Sequence, residues 1–532
     1  MRLVIALFAV AAAAIGAAWY GLGRPVPMPQ SGLAPGGKLY CLSYAPFRGG
    51  QTPLDPATAI SPAQIDDDLA RLSQTTGCVR TYSADFGIER TAELAGRHGL
   101  KVLQGLWLSS IPKKNDIQIE TAVALATRHR DTIAAVIVGN EVLLRGEMSA
   151  VDLATTIRAV KARVPVPVTY ADVWEFWLRN RELASAVDFI TIHILPYWED
   201  KPIAARDAAA HVDSIRRQVA EAFPGKDIVI GEVGWPSAGR MREGALPSRV
   251  NQARVIHDVL ARANAGNYRV NIIEAFDQPW KRALEGTVGG HWGLFADATR
   301  QFKFAWGAPV SNHPYWPWQA AGGIAFAALV FAAGVLPRGQ GAPAPRVAVG
   351  IALCAIAGGA TIGWTIANVP LESLGAGGWL RSLSLATISL VAPPLAAAAL
   401  RADIPLPRFS RIIGPAAQRL RDPLPRALGL VAMAVTVLAI LVALGLVFDP
   451  RYRDFSYAPL TAAIAPLAVL GVFVKRPAGA HGVAEIAACA LLAPSAVFIL
   501  WNETVANWQS LWLCAALVLL AVTLARIHDA RS

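Results

Sequence analysis

The sequence predicts an α/β chain: a (β/α)8 barrel followed by an all-α, multi-span membrane domain. Three observations carry this. Between residues 38 and 281, short β-branched runs alternate eight times with helical stretches, the repeat of a single parallel barrel. Two of the runs, AAVIVGNE at 134–141 and DIVIGEVGWPS at 227–237, end abruptly in polar residues that include one carboxylate, Glu141 or Glu232. From residue 319 onward the chain becomes a series of apolar segments.

In chain order, residues 3–20 form a continuous apolar segment behind Met1 and Arg2. It reads as a signal peptide or an uncleaved anchor (domain 1–20), and both place the residues after it outside the cytoplasm. Residues 21–37 are rich in Pro and Gly and read as a linker. The strands are expected at 38–47, 78–83, 101–108, 134–141, 167–174, 188–198, 227–237 and 271–281. Helices include 61–76, 88–98 and 204–223. The first helix has Ser61 and Pro62 ahead of Ile65, Leu69 and Leu72, with Asp66–Asp68 expected in its first turn, all helix-start signals. The barrel domain spans 38–310. A doubly wound sheet would want a Gly-rich phosphate loop after its first strand, and Tyr44-Ala-Pro-Phe47 is not one. After the aromatic junction His313-Pro-Tyr-Trp-Pro-Trp318, seven spans follow within 319–525, near 319–336, 346–367, 382–400, 427–448, 457–474, 483–501 and 508–525. With an inside start the barrel lies outside. The inside loops then carry Arg338 and Arg346, six arginines between Arg401 and Arg426, Lys475 and Arg476, and finally Arg526 and Arg531, as the positive-inside rule requires. The membrane half reads as an anchor and assembly platform, or as a conduit for glycan.

The chain is 54% hydrophobic and 16% charged, with a net charge of +11. Lys and Arg exceed Asp and Glu by about 3 in residues 21–318 and by about 8 in the remainder. Positive charge at membrane loops follows from topology, so no nucleic-acid partner is indicated. Three of the five cysteines, Cys354, Cys489 and Cys514, lie in expected spans. Cys41 and Cys78 fall on neighbouring strands, where a disulfide is one option in an oxidising compartment. No C-x-x-C or H-E-x-x-H motif occurs, so neither metal nor cofactor is indicated.

A carboxylate at the carboxyl end of a barrel strand sits where such barrels place their chemistry. Two of them facing across a cleft can protonate a leaving oxygen while attacking a sugar carbon. Arg80, ending the second strand beside Tyr82, can hold a carboxylate bidentately. Trp107, Trp174, Trp177, Tyr197, Trp198, Trp235, Trp280 and Trp292 fall at or just after strand ends. Flat aromatic faces bordered by polar groups suit sugar rings, although core packing is an equal alternative for each ring singly. Tyr44, Asp277 and Lys281 complete the candidate binding set. His193 either orients a carboxylate or fills the barrel.

Val138-Gly-Asn-Glu-Val142 and Gly231-Glu-Val-Gly-Trp-Pro-Ser237, supported by Val79-Arg-Thr-Tyr82, Phe276-Asp277, Lys281 and Trp292-Gly-Leu-Phe295, resemble glycoside hydrolase family 17, the β-1,3-glucanase family, over about residues 38–306. The resemblance implies a retaining mechanism with Glu141 as acid/base, Glu232 as nucleophile and Asn140 on the sugar 2-hydroxyl. Gln278 stands where plant members carry an acid. That departure, with Ile194-Leu-Pro-Tyr-Trp198 and 285–292, is similar to the bacterial membrane-bound branch whose rhizobial members make cyclic β-1,3/1,6-glucans. It implies a bacterial inner-membrane protein with a periplasmic barrel. The expected function is a transglycosylase that elongates, branches or cyclises β-1,3-glucan made by a separate synthase, with a plain β-1,3-glucanase and a non-catalytic glucan-binding or export scaffold as alternatives.

Overall fold

In the computed structural model, residues 1–34, 36–336, 341–415, 420–474 and 482–527 are described. Arg338, Arg419, Lys475, Arg476 and Arg531 of the basic loops lie outside them. The chain divides into two compact units. One is Val26–Ala238 with Gly244–Val310. The other is Met1–Pro25, Gly239–Glu243 and Ser311–Ser532.

The first unit is a closed parallel barrel in the order β1 to β8. Its strands are β1 (Cys41–Ser43), β2 (Cys78–Arg80), β3 (Lys101–Leu106), β4 (Ile133–Asn140), β5 (Val168–Val173), β6 (Ile190–His193), β7 (Ile228–Val233) and β8 (Val270–Ile272). Nearly every strand residue is buried, which is why the runs read as continuously apolar rather than alternating. Several strands are shorter than the sequence suggests: expected strand residues such as Lys38, Tyr40, Pro167, Asp188 and Asp227 are exposed and lie outside the ladder.

The crossovers are α2 (Pro62–Leu72), α3 (Thr91–Arg97), α4 (Pro112–Arg128), α5 (Ala150–Lys161), α6 (Trp174–Arg179), α7 (Ala205–Ala222), α8 (Arg249–Ala265) and α9 (Arg282–Gly289). Ser61 caps α2 by accepting from the Gln64 N–H, and Pro62 takes the first helical position. Asp66–Asp68 are not in the first turn as expected. Asp68 is buried and accepts from Arg48 at 2.6 Å and from the Tyr44 hydroxyl at 3.1 Å, and Asp66 meets His98 at 2.9 Å. These carboxylates hold the helix to its neighbours rather than serving its dipole.

Cys41 and Cys78 form a disulfide between β1 and β2, so the paired option holds. The stretch 21–37 is not a free linker. α1 (Arg2–Gly23) continues to Gly23, Val26 pairs with Val310, and Val26, Met28 and Leu33 pack on the barrel core.

The second unit is helical: α1, α10 (Trp316–Val335), α11 (Pro345–Glu372), α12 (Gly375–Arg401), the short α13 (Ser410–Ile413), α14 (Pro423–Phe448), α15 (Tyr457–Phe473), α16 (Val483–Glu503) and α17 (Trp508–Ala525). Among the described residues, seven helices are long and apolar enough to cross a membrane, α1 included, and α15 is a shorter apolar helix. Six of the seven spans expected within 319–525 are met by helices of that kind, and the one expected at 457–474 is the shorter α15. Gly239–Glu243, between β7 and α8 in sequence, groups with this unit: Arg240 pairs with Glu503, and the Met241 N–H donates to Gln509.

Candidate active site

The residues that converge at the carboxyl ends of the strands do so because the backbone there is irregular. Ladder register shifts occur between Ile137 and Asn140, between Ile192 and His193, and between Ile230 and Val233. Such bulges re-aim side chains beside functional sites. Gly139 has φ of +88°, and a Cβ there would lie 2.6 Å from Val142. Glu141 itself has φ of +52°, a left-handed conformation that a non-glycine residue holds only when its surroundings over-determine it. Those surroundings are visible. The Glu141 N–H donates to Ala171 O, its carbonyl accepts from the Arg145 N–H, and the Arg145 guanidinium reaches Leu108 O and Asn140 O and lies on the Trp107 ring.

Glu232 lies within β7, paired in register with His193 of β6. One oxygen each of Glu141 and Glu232 and one ring nitrogen of His193 lie within 4.8 Å of one another. His193 Nδ1 is 2.9 Å from Glu141 Oε1, and its Nε2 is 3.7 Å from Glu232 Oε1. Arg80, 1% exposed, donates from Nη1 to Glu232 at 2.5 Å and from Nη2 to Asn140 Oδ1. Tyr82 donates its hydroxyl to the same Glu232 oxygen at 3.0 Å, and the Arg80 guanidinium lies over its ring.

The environments of the two carboxylates differ. Glu232 has 5% of its side chain exposed and Glu141 has 21%. Burial pushes the Glu232 carboxyl up, but His193, Arg80 and Lys281 outweigh it and hold the group below the usual carboxylate range. Glu232 therefore stays ionised. Glu141 is the more exposed of the two.

The other expected site residues separate into two groups. Trp107, Trp174, Trp198, Trp280 and Tyr82 are half-buried around the strand ends. Trp198 stacks on Trp292 with an interplanar angle of 18°. Trp280 donates to Gln278, and Trp174 to Glu199. By contrast Trp177, Trp235, Tyr197, Trp292 and Tyr44 are core side chains. Trp177 is 1% exposed, donates to Thr191 O and packs on Tyr170 and Phe223, so it offers no face to a ligand. Trp235 donates to Leu246 O. Asp277 is buried against Lys303 at 2.7 Å and accepts the Gly293 N–H. Lys281 pairs with buried Glu274 at 3.0 Å.

Two groups at the site escape sequence reading. Asp172 in β5 accepts from the Tyr170 hydroxyl and from the Val173 N–H, while Tyr170 oxygen accepts the Leu143 N–H. The pair thus anchors the turn after Glu141. Burial pushes the Asp172 carboxyl up to about 6, with the charge of Glu141 adding to it. Glu274, two residues after β8, is pushed to about 7 by burial against the pull of Lys281. The available signal was an acid inside or just beyond an apolar strand, the same signal that Glu141 and Glu232 gave.

A parallel eight-stranded barrel with two close carboxylates at its carboxyl end is the arrangement that barrel glycosidases use to cleave a glycosidic bond. Comparison with known proteins narrows the class. Residues 41–293 match the family model described as the BtgE/BtgC glycoside hydrolase domain. A glucan 1,3-β-glucosidase of Arthroderma benhamiae is 26% identical over 259 residues, 46% of this chain and 83% of that protein. One from Saccharomyces cerevisiae is 26% identical over 267 residues, 45% of this chain and 84% of that protein. The crystal structure of a family 17 β-1,3-glucanosyltransferase from Rhizomucor miehei aligns with 51% of this chain and 97% of its own at 27% identity and a TM-score of 0.45. The barrel is thus similar to the BtgE/BtgC glycoside hydrolase domain and to fungal proteins named glucan 1,3-β-glucosidases. These relatives are fungal and lend nothing to the expected bacterial branch.

Proposed function

We propose that the barrel is a retaining glycosidase acting on β-1,3-glucan, with Glu232 as nucleophile and Glu141 as acid/base. The observation that carries this is the carboxylate pair itself, with one oxygen of each within 4.8 Å of one of the other. Retaining enzymes hold their carboxyls about 5–5.5 Å apart, and inverting ones leave about 6.5–9.5 Å for a water. Glu232, kept ionised by Arg80 and His193, attacks the anomeric carbon. As that C–O bond forms, the glycosidic C–O bond breaks and Glu141 gives its proton to the leaving oxygen. Water then attacks the glycosyl-enzyme, Glu141 takes the water's proton, and Glu232 is released. Asn140, fixed by Arg80, faces the sugar 2-hydroxyl. His193 touches both carboxylates and sets their orientation.

Hydrolysis is the preferred outcome. The Arthroderma benhamiae and Saccharomyces cerevisiae relatives, matched over 83% and 84% of their length, are named glucan 1,3-β-glucosidases. Transfer needs a second sugar held beside the first, and of the aromatic residues expected to line the cleft burial removes Trp177, Trp235, Tyr197 and Trp292. Trp174, Trp198 and Trp280 remain as rings able to hold a second sugar, so transfer is the outcome to test against. The glucan would come from a separate synthase. The apolar helices hold the barrel to a membrane, on the non-cytoplasmic side by the charge of its loops.

The test is product analysis of the full chain in detergent on laminari-oligosaccharides. Shorter oligosaccharides and glucose, absent in Glu232→Ala and strongly reduced in Glu141→Gln, support the reading. Turnover close to wild type in either variant rules out the assignment.

A further inference from the structure

The helical unit carries a cavity of its own. Where α12 begins and α14 ends, the two helices part around about 470 Å3 lined by Leu380, Arg381, Leu446 and Arg453. An open apolar trough continues from it between the same helices, past Leu383, Thr387, Met433 and Val437. The opposite end of α12 runs into the arginine-rich loop, so the cavity lies at the outward-facing end of the spans. From Leu380 to Ile388 the trough descends about 12 Å along the helix, close to the depth of one leaflet's hydrocarbon.

Two guanidinium groups, those of Arg381 and Arg453, line the mouth. Arg381 donates one amino group to Glu372 O at 3.1 Å, and its Nε is buried without a hydrogen-bond partner. The Arg453 side chain lies along Gly445, where a Cβ would stand 3.3 Å from its Cδ, and it pairs with Asp449 at 3.1 Å. Asp454 lines the same cavity, and the side chain of Glu372 accepts from Asn368. Each guanidinium has five donors, and these contacts use only some of them.

We propose that this cavity binds a phosphate-bearing amphiphile of the outer leaflet. Its phosphate sits between Arg381 and Arg453, where planar donors match phosphate oxygens. One acyl chain lies in the trough. Neither the proposed glucan chemistry nor any residue of the barrel enters this inference.

The test is native mass spectrometry of the full chain in micelles, titrated with phosphatidylglycerol, with diacylglycerol, or with phosphatidylglycerol in the presence of inorganic phosphate. Phosphatidylglycerol is expected to bind at least about tenfold more tightly than diacylglycerol, the scale of charge-assisted hydrogen bonds, and millimolar phosphate is expected not to displace it. Arg381→Gln with Arg453→Gln should bring phosphatidylglycerol down to the diacylglycerol level. Gly377→Trp adds a ring where no atom lies within 4 Å of the new Cβ. It should block binding with an unchanged unfolding temperature, and Leu383→Trp in the trough should do the same. Equal binding of the two lipids, displacement by phosphate alone, or binding indifferent to all these variants would overturn the proposal.

Discussion

Replacing Arg80 by methionine removes the cation that faces Glu232 while keeping the volume of a barrel-filling side chain. The wild-type contact is 2.5 Å between groups that are 1% and 5% exposed. Breaking one partner of such a buried pair costs about 3–5 kcal/mol. Tyr82 at 3.0 Å and His193 at 3.7 Å remain on the same oxygen, which argues for the lower end. That loss, about 3 kcal/mol, falls on folding stability, and kcat/KM should fall at least about tenfold besides, because Glu232 loses the cation that keeps it ionised. The pH profile should move as well. Arg80 is one of the groups that hold the Glu232 carboxyl low against burial. Without it burial gains ground, Glu232 takes its proton at higher pH, and the acid limb of activity shifts upward. The linked stability has the same sign. A depressed carboxyl stabilises the fold above its ordinary value of 4.5 and loses that contribution as pH falls through the folded value, so the variant should lose it. Arg80→Lys should restore part of the acid limb but not the full rate, because one ammonium cannot fork to both Glu232 and Asn140. The assay is cleavage of laminari-oligosaccharides by the full chain in detergent from pH 3 to 8. An Arg80→Met variant with an unmoved acid limb and a rate within threefold of wild type would refute this reasoning.

Other parts of the structure set further outcomes. Trp177→Ala should destabilise the barrel by about 3–5 kcal/mol, as expected for an emptied core site. Trp198→Ala, which removes a half-buried ring stacked on Trp292, should destabilise less than Trp177→Ala and raise KM for oligosaccharides a few-fold; a thermal melt and a Michaelis curve separate the two. Asp172, buried, keeps its proton to about 6 against an ordinary 3.8. Stability should therefore fall as pH rises between those values, by up to about 3 kcal/mol, and Asp172→Asn should flatten that slope in tryptophan-fluorescence melts; a slope that persists removes Asp172 as its cause. Alkaline phosphatase fused after Asn312 should be active and a fusion after Asp403 inactive, whereas the reverse pattern inverts the topology.

The barrel and its carboxylate pair were legible because buried parallel strands are apolar without alternation, so a lone acid at the end of one is conspicuous. Glu141 and Glu232 stand out for that reason, and Asp172 was open to the same reading. The tryptophans were not legible. Which face a ring presents depends on helix phase and loop path, and α6 is only six residues long. Trp177 therefore turns inward while Trp174 stays half-exposed. Cys41 and Cys78 could be placed on adjacent strands, but their approach depends on a register that no residue pattern prints. The packed strap at Val26–Leu33 was hidden by composition: Pro and Gly indicate irregular backbone, and irregular backbone can still pack.

The central claim, a nucleophile on one face of the sugar and an acid/base on the other, is tested most directly by the anomeric form of the first product. Proton NMR of laminari-oligosaccharide cleavage by the full chain in D2O, read before mutarotation, should show the β-anomer appearing first, and no product should appear with Glu232→Ala. An α-anomer appearing first would contradict the account.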